Sequence, residues 1–212
     1  MQGFLKRIGV ALLGLSAGVA GLMPAAAQVS SIDITTQPTS EGVVYQFFID
    51  FAGQYTGAQL IVELTSGSIY QDAVGSATPP NAAFIPVFPS LANDSFVAQG
   101  SAVAGGPFGE PLPGGGAVDL GGAAAAQFDV AGINQAWNPA GGEVITDQVG
   151  FLIAQITLST DAVGDWSLLA SAGGDITTVG GIFPFPEPTS AAFLGLGGLA
   201  LLRRRLTRSR VC

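Results

Sequence analysis

The chain predicts an all-β domain, two antiparallel sheets packed face to face as a β-sandwich, flanked by an N-terminal signal helix and a C-terminal hydrophobic helix. Three observations carry this expectation: apolar and polar residues alternate with period two through the middle of the chain, turn residues separate the alternating runs, and no long helical pattern interrupts them. About 160 residues lie between the terminal segments, enough for one domain with a sizeable core.

The N-terminal element is a leader. Lys6 and Arg7 precede an apolar stretch from Ile8 to Met23, and Pro24-Ala25-Ala26-Ala27 supplies a small-residue cleavage site. Ala25 and Ala27 mark that site and Gln28 becomes the first mature residue, so residues 1–27 read as a signal peptide. A first transmembrane helix would carry bulky residues where these alanines crowd.

The strands follow. In Val43 to Phe51 the positions Val43, Tyr45, Phe47, Ile49 and Phe51 are apolar, while Gln46 and Asp50 fall on the other face. Leu60, Val62 and Leu64 alternate with Glu63 and Thr65; Leu152, Ala154, Ile156 and Leu158 alternate with Gln155 and Thr157; Trp166, Leu168 and Ala170 alternate with Asp165, Ser167 and Ser171. Weaker strands are expected near Ser31 to Thr36, Ser68 to Gln71, Ser95 to Gln99, Ala126 to Val130 and Asp175 to Val179. Gly53 to Gly57, Ser66-Gly67 and Asp161 to Asp165 supply the turns. Strands of this number and spacing suggest a jelly-roll or immunoglobulin-like course within residues 28–183.

Two irregular regions interrupt the pattern. Ala73 to Leu91 interleaves Pro79, Pro80, Pro86 and Pro89 with Phe84, Ile85 and Phe88, which predicts an extended aromatic-bearing loop. Residues 100–125 are richer still in glycine and proline and predict a long mobile connection. Those glycines lack the lysine and the strand-helix frame of a phosphate-binding loop.

Charge is segregated along the chain. All seven basic residues lie in the terminal segments (Lys6, Arg7, Arg203, Arg204, Arg205, Arg208 and Arg210), and all fifteen acids lie from Asp33 to Glu187. There is no histidine, and the one cysteine is Cys212. A body without cations would repel a phosphate backbone, which argues against nucleic-acid binding. Thiol, Ser-His-Asp and Cys/His-metal chemistry have no parts here, and the core must hold without disulfides.

The last element, residues 184–212, has three parts: Pro186-Glu187-Pro188, the apolar run Thr189 to Leu202 with Gly195, Gly197 and Gly198, and the cluster Arg203-Arg204-Arg205. As a helix the apolar run would be roughly 20 Å long at ~1.5 Å per residue, short of a ~30 Å hydrocarbon core. This order resembles the C-terminal sorting segment of PEP-CTERM proteins, over about the final tenth of the chain; the tail from Leu206 to Cys212 is longer than that family's usual basic end. The resemblance implies an exosortase substrate: an exported protein held transiently in the inner membrane by this helix, cleaved near Pro186-Glu187-Pro188, and released to the cell surface or beyond. A lasting single-span anchor is the alternative. Tyr55 to Leu60, Ala136-Trp137-Asn138-Pro139 and Asp161 to Trp166 look similar to a group of exported proteins of this kind, whose body in turn resembles the cohesin and carbohydrate-binding type of β-sandwich.

Candidate sites are few. Trp137 with Asn138, beside Asn134 and Gln135, is the cluster best suited to stacking on a sugar, with Tyr55 and Tyr70 as weaker candidates; packing in the interior is the plain alternative for Trp137, and Trp166 belongs to a core face. Calcium is the metal suited to oxygen ligands, with Asp161 and Asp165, or Asn93 and Asp94, as candidates; the same residues are ordinary turn chemistry. No catalytic residue and no obligatory cofactor is indicated, since no carboxylate pair is singled out by spacing. The expected role is a non-enzymatic structural or adhesive protein of extracellular polymer, the family reading implying exosortase and the export machinery as partners. A carbohydrate-binding module partnering extracellular polysaccharide is the alternative, and a glycoside hydrolase a distant third.

Overall fold

The computed structural model describes residues 28–114, 118–119, 122–123, 126–140 and 142–184. The signal segment with Ala25 and Ala27, the Pro186-Glu187-Pro188 motif, the apolar run after it and Arg203, Arg204 and Arg205 lie outside the described residues. Among the described residues no helix is long and apolar enough to cross a membrane.

Among the described residues eleven strands are formed: β1 (Val29–Pro38), β2 (Val43–Ser66), β3 (Phe96–Val97), β4 (Pro111–Pro113), β5 (Val118–Asp119), β6 (Gly122–Ala123), β7 (Gln127–Asp129), β8 (Gly132–Pro139), β9 (Ile145–Leu158), β10 (Val163–Ala172) and β11 (Asp175–Phe183). The all-β antiparallel expectation holds, with hydrogen bonding joining nine strands into one continuous sheet and β5 with β6 forming a separate ribbon. The main path runs β11-β10-β2-β8-β4, with β1 and β9 also on β2, β7 on β8 and β3 on β9.

β2 organises the sheet. It is 24 residues long, and its first half, from Val43, lies between β1 and β9 while its second half, Ala58 to Glu63, lies between β10 and β8. The expected turn at Gly53 to Gly57 does not interrupt the strand: pairing continues on both sides of it, and the chain bends there. Gly53 (φ 80°) and Gly57 (φ 156°) occupy backbone that side chains resist, and the β2–β9 register slips between Phe47 and Phe48, Ile49 and Phe51, and Phe51 and Gln54. Two carboxylates clasp the bend from opposite strands: Asp147 Oδ1 accepts the Gly53 N–H at 2.7 Å, and Asp50 Oδ1 accepts the Gly150 N–H at 2.7 Å. Such bulges turn a strand instead of ending it.

The core collects the inward positions of both halves: Tyr45, Phe47, Ile49 and Phe51 from the first, and Leu60 and Val62 from the second, with Ile133, Trp166 and Leu168. Each large buried side chain contributes about 1.5–3 kcal/mol. The Phe47 ring meets Trp166 edge-on at 5.3 Å, and Tyr45 meets Phe183 at 5.0 Å. Strands flanking the two halves of β2 thus share one core. One bulge also redirects β9, because after the slip at Phe47/Phe48 Leu152 leaves the row of Ala154, Ile156 and Leu158 and packs with Phe96, Ala98 and Phe48 on the opposite side.

Several weaker expectations change. Ser68 to Gln71 is no strand but a single bridge, Ile69 to Leu158, and Ser95 to Gln99 contracts to β3. The long connection at residues 100–125 contains β4, whose prolines are tolerated because it lies at the end of the strand order. β8 was not expected as a strand, since Gln135 stands on its inward row between Ile133 and Trp137 and breaks the apolar alternation.

Replacing Gly57 by alanine would place a Cβ 2.7 Å from the Trp137 carbonyl oxygen. Gly57→Ala is expected to cost about 1–3 kcal/mol or more in urea denaturation; a change within experimental error would show that the bend does not depend on this close approach.

Candidate functional site

With Leu60 and Val62 directed inward, pleating sends Gln59, Ile61 and Glu63 to the opposite face of β2. Their partners there are Leu169, Ser167 and Asp165 of β10, and beyond them Thr178, Gly180 and Ile182 of β11. On this outer face a depression of about 230 Å³ is lined by Thr56, Gly57, Gln59, Leu169, Ser171 and Ile176, among others. A second, of about 250 Å³, lies over Ile61, Glu63, Asp165 and Ser167. The Thr56 hydroxyl donates to Ser171 Oγ at 2.8 Å. Gln59 is buried, and its Nε2 has no hydrogen-bond partner, an arrangement that costs about 1–3 kcal/mol unless an acceptor is supplied.

The sugar candidates do not assemble. Trp137 is 2% exposed, its register partner is Ala58, and its indole N–H donates to the Ala98 carbonyl at 3.2 Å. Asn138 follows on the exposed face of β8, opposite Leu112, and donates to the Pro139 carbonyl at 3.3 Å. Strand alternation thus puts Trp137 in the core, where it also borders the depression of about 230 Å³, and leaves Asn138 as a surface amide on the other face. Tyr55 is fully buried against Phe51 and Phe151, and burial pushes its phenol well up. Gln135 turns inward and donates to the carbonyls of Gly114 and Ala136, both at 2.7 Å. The half-buried Tyr70 donates to Asp72 Oδ2 at 3.2 Å. Trp166 lies in the core. Among the described residues the exposed aromatics are instead Phe84 and Phe88, in the loop before the 3-10 turn Pro89–Asn93.

The calcium candidates are likewise separated or engaged. Asp161 is exposed in the β9–β10 turn, where its carbonyl accepts the Ser66 hydroxyl at 2.9 Å. Asp165 stands within β10 opposite Glu63. Among the described residues no group of three or more His, Cys, Asp or Glu is placed to hold a metal ion. Asn93 donates to Glu41 Oε2 at 2.6 Å.

Asp94, the other member of that pair, is engaged by backbone amides. Its carboxylate is fully buried and accepts the N–H groups of Asp72 at 2.8 Å and Ser76 at 3.2 Å, closing the segment 72–76 around itself. Gly75 is required there, since a Cβ would fall 1.9 Å from Asp94 Oδ2. Residues 92–94 lie against β9, where Gln155 donates to the carbonyls of Ala92 and Asp94 at 3.0 Å each and the Thr157 hydroxyl donates to the Asn93 carbonyl at 2.6 Å. Burial pushes the Asp94 carboxyl up, against the pull of the backbone amides. Asp72 is held below the usual carboxylate range, first by the Ser90 hydroxyl and then by the Val74 N–H.

No protein-family model, curated protein or solved structure matches the chain.

Asp94→Ala would strand two amide donors and is expected to cost about 2–4 kcal/mol. Because the folded carboxyl is raised, the native state takes up a proton before the unfolded chain does. The stability gap between wild type and Asp94→Ala therefore widens as pH falls from neutral through the raised value, and levels off below the ordinary carboxylate value near ~3.9. Denaturant curves at several pH values test this, and a gap that narrows on acidification refutes it. Trp137→Ala should cost about 3–5 kcal/mol as a core truncation; an unchanged melting temperature would return Trp137 to the surface.

Proposed function

We propose that this chain is an exported, non-enzymatic structural or adhesive protein of the cell surface or extracellular matrix, delivered by its PEP-CTERM-like tail. Its body is read as a two-layer β-sandwich of jelly-roll or cohesin-like course, supported by the Phe47–Trp166 and Tyr45–Phe183 ring contacts from the first half of β2 to β10 and β11, which lie beside its second half. The observation that carries the functional reading is the character of the outer sheet face. Ile176 and Ile182 are 60% and 62% exposed, and they share that face with Ile61, Leu169 and the short polar side chains Ser167, Ser171 and Thr178. Such a broad aliphatic and hydroxyl-bearing surface suits adhesion to polymer or protein. Export machinery and an exosortase are the proposed partners in delivery, with the inner membrane engaged transiently through the C-terminal apolar run.

A second reading, binding of extracellular polysaccharide, is favoured by one observation: the unpartnered Gln59 Nε2 in the wall of the depression of about 230 Å³. A hydroxyl or carbonyl acceptor of a sugar would complete it.

Mass spectrometry of the secreted protein tests the main reading. The expected product begins at Gln28 and ends near Pro186-Glu187-Pro188, without any lysine or arginine; surface-located protein intact to Cys212 would overturn processing. Polysaccharide pull-down with wild type and Gln59→Leu tests the second reading, where specific retention lost in the variant supports it and equal behaviour of both proteins removes it.

A further inference from the structure

β11 ends the main strand path: among the described residues it pairs with β10 alone. Alternate N–H and C=O groups along its other side are therefore directed away from the sheet, a template for another strand. Sheet edges are usually blunted by charge, proline or bulges. β1 carries all three: Asp33, a closing Pro38, and a slip in its register with β2 between Val29 and Ser31. β11 carries none between Ile176 and Phe183, and its register with β10 is unbroken from Asp175 to Phe183. Its one acid, Asp175, is its first residue.

We propose that β11 is a strand-addition edge at which a second copy of this chain pairs antiparallel about a twofold axis through Val179. The sequence of β11 is self-complementary in that register. Ile176 falls opposite Ile182 of the second copy and Thr178 opposite Gly180, while on the other face Thr177 falls opposite Gly181 and Val179 meets its own counterpart. The exposed Ile176 and Ile182 cover one another, and each glycine leaves room for a threonine. Those glycines are fixed by the fold: a Cβ at Gly180 would lie 2.8 Å from the Trp166 carbonyl oxygen, and one at Gly181 would lie 2.8 Å from Trp166 Nε1.

Charge selects this partner and this orientation. Fourteen acids lie from Asp33 to Asp175 and every lysine and arginine lies in the terminal segments, so two copies of the body repel over most approaches, and β11 is a nearly neutral stripe on that surface. In the twofold register the two Asp175 residues lie at opposite ends of the paired strands, about 27 Å apart at ~3.4 Å per residue. That exceeds the ~8–10 Å over which exposed charges interact at moderate salt. A parallel pairing in register would set them side by side.

The proposal deepens the structural reading above, and its failure is separable from failure of that reading, because association and terminal processing are measured independently. The secreted protein, as purified, is examined by sedimentation equilibrium up to millimolar concentration, together with two double variants at exposed positions. I176K/I182K sets like charges opposite one another twice in the proposed register, whereas I176K/I182E sets opposite charges there. Circular dichroism and melting curves verify that both variants keep the wild-type fold. Reversible dimerisation of wild type, weakened at least tenfold in I176K/I182K and retained within a few-fold in I176K/I182E, is the expected result. A wild type that stays monomeric throughout overturns the proposal, as does I176K/I182K associating like wild type or both variants losing association equally.

Discussion

The 24-residue strand β2 pairs with β1 and β9 along its first half and with β10 and β8 along its second, and the two halves share one core because β2 bends where Asp50 and Asp147 each accept a backbone N–H across the bulged pairing. The bend places Phe47 against Trp166 and Tyr45 against Phe183, so one strand supplies inward residues on both sides of the kink. Glycines at 53, 57 and 150 supply the backbone freedom. The carboxylates supply direction, since each bond ties a bulge in one strand to the facing strand. Remove the bend, and the rings of the first half have no partners from β10 and β11.

Bending has a second effect on β9. Its neighbours leave both of its faces covered from Phe151 to Leu158, and the segment from Gln71 to Asn93 forms part of that cover. Polar groups beneath a cover must be paired or they destabilise the fold. Gln155 accepts from Gln46 at 2.8 Å while donating to two carbonyls, Thr157 bonds to Ser95 and Asn93, and Asp94 gathers two amides. The cover is attached by hydrogen bonds as much as by apolar contact.

Period-two alternation made the long strands legible because Tyr45, Phe47, Leu60, Val62 and Leu168 stand on one side of one pleated surface. It failed where a second layer of contacts intervened. Gly53 to Gly57 carries the residue types of a turn, and only the pairing of both flanks with different neighbours makes it a bend. Gln135 disguised β8 because a buried amide bonded to two carbonyls occupies a position that alternation reserves for an apolar residue. Trp137 and Asn138 looked like one site because they are adjacent in sequence, and adjacency in a strand means opposite faces. The outer face of Gln59, Ile61 and Leu169 was hidden for the same reason: its members come from strands far apart in the chain, and no local pattern joins them. Asp94 stood out in the sequence only as an oxygen ligand beside Asn93; its role as an acceptor for backbone amides depends on a loop folding back over it.

The positions of β1 and β11 set how the domain would carry load. Val29, at the start of β1, lies opposite Phe51, whereas Phe183, at the end of β11, rests on Tyr45. Entry and exit of the chain are thus displaced along β2 by about 20 Å at ~3.4 Å per residue. Tension between them pulls β1 and β11 lengthwise past their neighbours, so their ladder bonds are loaded together in shear and do not open one after another from an end.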